Sequence, residues 1–361
     1  MQFLFGTPES GATIAGPLPA SGIYRVLICR RTLTLGNTLL LTPLIREIEA
    51  TYPGAEIDIV GGHAVAAEVF GVRRSVQTIY RLPAHPFPHL GQLLRVLRQM
   101  RRVNYDLVID PCPRSQTGRL LLLLARGRFK VGFCSAAKSG PITHPVPVPS
   151  NPRHAGQLPV ALLRSALERR ERLPYPTLDI FVSDAERQRG LETLKHITSC
   201  LPDATKKHGV IGVFANATGP KVFDADWWDA FLTVLQAHKK GFALVEIVPL
   251  TGRSLLRSRY PAYFSNSIGK LSSVLSGMSL FISADCGVMH LACASGVPTV
   301  GIFSVSDPLE WGPYGLHDRA IDARSLSPER TALEVLAWCG TVVARGDARQ
   351  QLQRDAESIG V

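Results

Sequence analysis

The stretch LFISADCGVMHLACASGVPTVGIF, Leu280 to Phe303, contains one complete step of an α/β fold. An apolar run at Leu280–Ser283 reads as a strand. A short polar turn follows, then a helix over Gly287–Ser295, a glycine stop and a second apolar strand at Thr299–Phe303. Strands that are apolar throughout, without alternation, are those of a parallel sheet covered on both faces. Asp285, Cys286, Gly287 and Val288 fall where the helix begins. The unspent N–H groups and dipole of a helix N-terminus suit a phosphate, and a glycine there admits close approach. Asp285 can cap this helix and is expected to organise the turn. The same residues also fit a plain capped helix with a buried His290.

The pattern repeats upstream. In GVFANATGPKVFDADWWDAF, Gly212 to Phe231, a strand ends at Phe214 and a loop offers Asn216, Thr218 and Gly219 before Lys221. Small polar groups and a point charge can hold a diphosphate; a solvated turn is the alternative. Around it the second half reads helix Asp184–His196, strand Val210–Phe214, helix Asp226–Ala237, strand Ala243–Val248 and helix Lys270–Gly277, with final helices over Pro328–Trp338 and Ala344–Ala356. The first half alternates in the same way. Its strands are Tyr24–Cys29, Glu56–Val60, Val76–Tyr80, Asp106–Ile109 and Phe129–Gly132. Its helices are Thr38–Ala50, with Pro43 forcing a kink or a later start, then Val65–Phe70, Leu90–Arg102, Gly118–Ala125 and Pro159–Arg169. From Phe133 to Asn151 periodicity is lost, and Pro174 and Pro176 mark a linker. The reading is α/β: a loose tail over 1–22, one Rossmann-like doubly wound domain over 23–178 and a second over 179–361. Ligands of such sheets sit beyond the carboxyl ends of the strands, so the shared ligand cleft is expected between the domains.

A length of 361 residues favours two domains, and 45% hydrophobic with 19% charged residues is ordinary for a globular chain. The seven cysteines include no C-x-x-C pair, so neither a disulfide framework nor a zinc site is indicated. No metal and no cofactor are expected. The formal charge of +11 fits either a polyanionic partner or a diffusely basic surface. Arg95, Arg98, Arg101 and Arg102 recur on one apparent helix without a nucleic-acid-binding motif, so no nucleic-acid partner is expected. The start of the chain lacks the basic and apolar regions of a signal peptide. The longest leucine run, Leu120–Leu124, is far short of the ~20 residues that span a bilayer. Any membrane contact is expected to be peripheral.

In LGNTLLLTP, Leu35 to Pro43, a glycine turn leads from the first strand into a helix, and its polar residue is Asn37. Asn is a good N-cap, and its amide is not a base at neutral pH.

Together these stretches resemble the bacterial heptosyltransferases of glycosyltransferase family 9. The similar parts are RVLICRRTLTLGNTLLLTPLIREIEATYPGAEIDIVGG, YDLVIDPCPRS at Tyr105–Ser115, His154 before its helix, the loop reaching Lys221, and SADCGVMHLACASGVPTVGIFSVSDPLEWGPYG at Ser283–Gly315. The last is the most specific. The resemblance implies a GT-B fold, with the acceptor on the first domain and the nucleotide-sugar on the second. It implies inverting transfer of heptose from ADP-heptose to a lipopolysaccharide core at the cytoplasmic face of the inner membrane. Lys221 would contact the donor phosphates. Asp285, Cys286, Gly287, Val288 and His290 would match the family's diphosphate-holding turn. Asp110 would match a polar strand-end position facing the cleft. The family's proposed base is an Asp where this chain has Asn37. Asp110 is then the nearest candidate base and His63 a distant second. Arg253 stands near a position where the family often has an acidic residue that holds the ribose. A non-catalytic nucleotide-sugar-binding protein and a transferase with another donor are the other readings.

Overall fold

The computed structural model describes residues 16–30, 34–61, 64–83, 87–134, 142–169, 173–239, 241–315 and 317–339. The chain divides between Phe181 and Val182 into two units. The first holds strands β1 (Arg25–Cys29), β2 (Glu56–Gly61), β3 (Val76–Arg81), β4 (Tyr105–Asp110), β5 (Gly127–Cys134) and β6 (His144–Pro147) in the order β3-β2-β1-β4-β5-β6. The second holds β7 (Gly209–Phe214), β8 (Phe242–Ile247), β9 (Ala262–Tyr263), β10 (Leu280–Ala284), β11 (Thr299–Phe303) and β12 (Arg319–Asp322) in the order β12-β11-β10-β7-β8-β9. Every strand pair in both sheets is parallel.

The central strands form because every residue of β10 and β11, and all but the first of β1, is buried. Helices cover both faces. On helix Ala225–His238, Trp228, Phe231, Leu232 and Leu235 recur at the helical period and are wholly buried in the second core. Full burial of each such side chain is worth roughly 1.5–3 kcal/mol. The helix starts where the Asp224 carboxylate accepts the Trp227 N–H at 2.7 Å. Helix Asp184–Ile197 lies against helix Ile268–Ser276 with backbone touching backbone. A Cβ at Gly190 would run into the carbonyl of Ser273, so Gly190→Ala breaks this packing.

The expected helix Thr38–Ala50 is two pieces, Leu35–Leu39 and Thr42–Thr51, with Pro43 in the first turn of the second, where its missing N–H costs nothing. Three edge strands were not legible. β6 carries prolines in an edge strand of the segment that loses periodicity, β9 is two residues long, and β12 is Arg-Ala-Ile-Asp. An edge strand pairs on one side only, so it needs no continuous apolar run and tolerates proline. The last expected helix, Ala344–Ala356, lies outside the described residues; a helix at 328–339 precedes it.

The supposed tail and linker are pinned where they are described. Leu18 is buried and its N–H donates to the Ala166 carbonyl. The Asp179 N–H donates to Thr42 Oγ1 at 3.2 Å, and Arg73, wholly buried, pairs with both Glu49 and Asp179. These ties hold residues 177–181 to the first unit.

The charge divides with the fold. Residues 1–181 carry 22 Lys and Arg against 11 Asp and Glu; residues 182–361 carry 18 against 18. The whole +11 therefore belongs to the first unit, so the excess is not spread evenly over the molecule.

Candidate functional site

Each sheet has one point where strand order reverses, between β1 and β4 in the first unit and between β7 and β10 in the second. Loops leaving neighbouring strands there diverge to opposite faces and open a crevice for ligands. The candidate residues read from the sequence gather at these two places.

In the second unit, β7 and β10 pair directly, with Ser283 opposite Phe214. The loop after β7 and the turn after β10 therefore leave the sheet side by side, and Lys221 Nζ stands 2.7 Å from Asp285 Oδ2. The Asp285 side chain is 6% exposed and that of Lys221 33%. Asp285 thus does not cap the helix. It lies one position too early: the N-cap is Cys286, in extended conformation, and no side-chain oxygen bonds the first turn. The other five helices of this unit among the described residues all have an oxygen cap, from Ser183, Asp224, Ser267, Asp307 and Ser327. At Gly287–Ala294 the first-turn N–H groups lack this cap. Cys286, Gly287 and Val288 are half-buried, while Asp285, Met289 and His290 are buried. Burial raises the Cys286 thiol above its ordinary range, with the Ser283 hydroxyl and the N–H groups of Met289 and Val288 opposing; the neutral thiol is not a nucleophile.

Asn216 is half-buried, and Thr218 is exposed just before the short turn Gly219–Lys221, whose Gly219 has φ +63°. The buried hydroxyl of Ser304, immediately after β11, has no hydrogen-bond partner among the described residues. It lies one strand over from the turn. Its signal, a serine closing an apolar strand, is too common to single out in sequence. Arg253 is exposed in the loop after β8. The buried Glu246 shapes that loop by accepting from Ser254 Oγ at 2.6 Å and from the N–H of Leu255 and Leu256.

In the first unit, Asn37 is not the cap either. Thr34 is, and its Oγ1 accepts the Asn37 N–H. The Asn37 side chain, one turn in and half-buried, is not spent on capping. Asp110, the last residue of β4, is wholly buried. Its Oδ2 lies 3.6 Å from Arg119 Nε, on a side chain 4% exposed, and its Oδ1 accepts the Cys112 N–H at 3.4 Å. Gly118 closes over it: a Cβ there would collide with the carboxylate and press on the Cys29 carbonyl. Arg30, beyond β1, is within electrostatic reach; burial lowers its pKa, with Cys112 and Asp110 opposing. The Asp110 carboxylate is thus buried against Arg119 rather than open to solvent. His63 lies outside the described residues.

Among the described residues no three His, Cys, Asp or Glu side chains gather as a metal site, and no helix is long and apolar enough to cross a membrane.

The family model for glycosyltransferase family 9 (heptosyltransferase) matches residues 266–336, which include the turn after β10. Lipopolysaccharide heptosyltransferase 3 of Escherichia coli is 22% identical over 313 residues, 77% of this chain and 82% of that protein. Among solved structures, a family 9 glycosyl transferase from Veillonella parvula superposes with a TM-score of 0.70 at 16% identity, over 89% of this chain and 97% of the other. The E. coli heptosyltransferase WaaC with ADP gives 0.64 at 18%, over 88% and 99%. The fold is GT-B, and the resemblance to family 9 heptosyltransferases read from the sequence is borne out.

Proposed function

We propose, with this likeness to the family 9 heptosyltransferases as premise, that the chain is an inverting glycosyltransferase. It moves a heptose-like sugar, from ADP-heptose in the first instance, to an anionic glycolipid or glycan acceptor of the lipopolysaccharide-core kind. The observation that carries the reading is the Lys221–Asp285 pair beside a helix start that no side-chain oxygen caps. As the acceptor oxygen attacks and the sugar–phosphate bond breaks, negative charge collects on the departing diphosphate. The first-turn N–H groups of Gly287 and Val288 and the Lys221 ammonium are fixed donors for it, and donors held in place before the reaction are usually the largest catalytic term. Asp285 would repel the diphosphate, so it acts as a positioning residue that holds Lys221. Asn216 and Thr218 add hydrogen bonds from the neighbouring loop, and His290 packs beneath the turn. No metal and no cofactor take part.

The acceptor binds the first unit, whose net +11 suits an anionic glycan at the cytoplasmic face of the inner membrane. Asn37 orients the acceptor hydroxyl and takes no proton; that proton passes to solvent water as the glycosidic bond forms and the sugar–phosphate bond breaks. Asp110 positions the loop after β4 and, with Arg119, the start of the following helix. The rate therefore lacks the roughly 10²–10⁴ that a base supplies.

The test is transfer of labelled sugar from ADP-heptose at saturating donor. Slow turnover is expected from the wild type, raised on the order of 10²-fold in Asn37→Asp. A fast wild type that Asn37→Asp leaves unchanged would put the base elsewhere. Donor binding with no turnover in either protein would favour a second reading, a non-catalytic nucleotide-sugar-binding protein. The amide at Asn37 and the sealed Asp110 are the observations on its side.

A further inference from the structure

The excess charge is concentrated further within the first unit. Between Leu82 and Leu167 there are 12 Lys and Arg and only two acids, Asp106 and Asp110. Two helices from this stretch, Leu90–Arg102 and Gln116–Leu124, contain no acid at all. They lie on one face of the sheet, since Val96 and Met100 of the first and Leu121 and Leu122 of the second share a core with Leu27 and Val108. Their C-terminal ends are tied by Arg101 Nη1 donating to the Leu124 carbonyl at 3.3 Å.

The outward side of this layer is unusual in composition. Along helix Leu90–Arg102 the inner stripe is Val96 and Met100, with Leu93 and Leu97 partly buried beside them. The outer stripe, at spacing four, is Leu90, Leu94, Arg98 and Arg102, with Arg95 and Arg101 alongside. Leu90 is 54% exposed, Leu94 48%, and Leu120 on the neighbouring helix 57%, while all four arginines are exposed. A purely solvated face has no use for three leucines, and a nucleic-acid face would use polar and aromatic groups. Exposed leucines among arginines, without a carboxylate, match the acidic interface of a bilayer, where acyl chains accept the apolar groups and headgroups the cations.

We propose that the outer face of helices Leu90–Arg102 and Gln116–Leu124 docks the protein on a membrane of anionic lipids. The proposal deepens the glycolipid-acceptor reading above and rests on it for the source of the membrane.

The test is co-sedimentation with mixed phosphatidylglycerol–phosphatidylcholine vesicles and with phosphatidylcholine alone. The wild type binds only the anionic vesicles and is released by high salt. Arg95→Gln/Arg98→Gln/Arg102→Gln lowers partitioning on the order of 100-fold, since each such cation near the surface contributes about tenfold or less. Leu90→Ser/Leu94→Ser/Leu120→Ser lowers it about tenfold through lost apolar contact. Both sets replace exposed side chains, and thermal melting confirms that the variants fold. A control with equal charge loss elsewhere, Arg74→Gln/Arg189→Gln/Arg330→Gln, stays within about threefold of wild type. Equal loss in the control, no effect of the leucine set, no wild-type binding to anionic vesicles, or tighter binding to RNA than to vesicles would each overturn the proposal. The transferase reading fails separately: vesicle binding that follows this pattern without sugar transfer leaves the docking face standing.

Discussion

The two units place an ion pair at the same point of the same topology and use it differently. In the first, Asp110 and Arg119 meet at 3.6 Å with side chains 0% and 4% exposed, closed over by Gly118. In the second, Lys221 and Asp285 meet at 2.7 Å with one third of the lysine in solvent. A sealed pair can only hold structure. An open one keeps two of its three ammonium donors for a ligand. What separates the two is the origin of the cation. Arg119 rises from the helix that packs onto its own strand, whereas Lys221 reaches across from the neighbouring loop. The units also differ in charge, +11 against zero, as suits one that meets an anionic acceptor and one that grips its anion through a few fixed donors.

The sharpest way to break this comparison is Arg119→Met. It leaves the Asp110 carboxylate buried with less compensation, and a loss of about 3–5 kcal/mol in unfolding free energy is expected, read by denaturant titration. A loss below about 1 kcal/mol would mean the pair is not structural.

Another carboxyl, Asp318, half-buried with its Oδ2 shielded from solvent, extends the comparison because desolvation dominates its titration. It is pushed up to about 6 by burial, with the Thr299 N–H and the Cys293 thiol opposing. The folded state therefore binds its proton more tightly than the unfolded chain. Stability from this group is complete below the unfolded value near 3.8 and is lost as pH rises through about 6. Asp318→Asn keeps an acceptor for Thr299 and does not titrate. Between about pH 4 and pH 7 the wild type should lose about 2 kcal/mol relative to this variant. Parallel stability curves would show that Asp318 is solvated in the folded state.

Lys221→Ala is the complementary test of the open pair. Donor affinity should fall by roughly 1.5–3 kcal/mol, the range for a hydrogen bond to a charged group, as measured by calorimetry. Folding should change by about 1 kcal/mol or less, since the cation is partly solvated. The reverse outcome, lost stability with intact donor affinity, would make the second pair structural like the first. The smallest effect is that of Asn37→Asp on stability. A helix whose first turn holds no acid gains one, worth about 0.5 kcal/mol through the helix dipole, and the melting temperature should rise slightly. A drop would indicate that the Asn37 amide makes a contact that a carboxylate cannot.

The sequence by itself determined the interior of both sheets. Strands such as Val26–Cys29 and Leu280–Ala284 are buried on both faces, and only an unbroken apolar run satisfies that position. The turn after β10, the loop to Lys221 and the LGN stretch were legible as places for chemistry for the same reason, since each follows such a strand. Tertiary structure alone decided what those residues do there. Capping depends on which residue turns from extended to helical backbone, so Thr34 and Cys286 hold the positions that composition suggested for Asn37 and Asp285. Whether a carboxylate is sealed or open depends on what packs over it from distant sequence, as Gly118 does over Asp110. Edge strands stayed hidden because one-sided pairing imposes no apolar pattern. A net charge is one number in the sequence, and only the folded chain assigns it to one unit and one helical face.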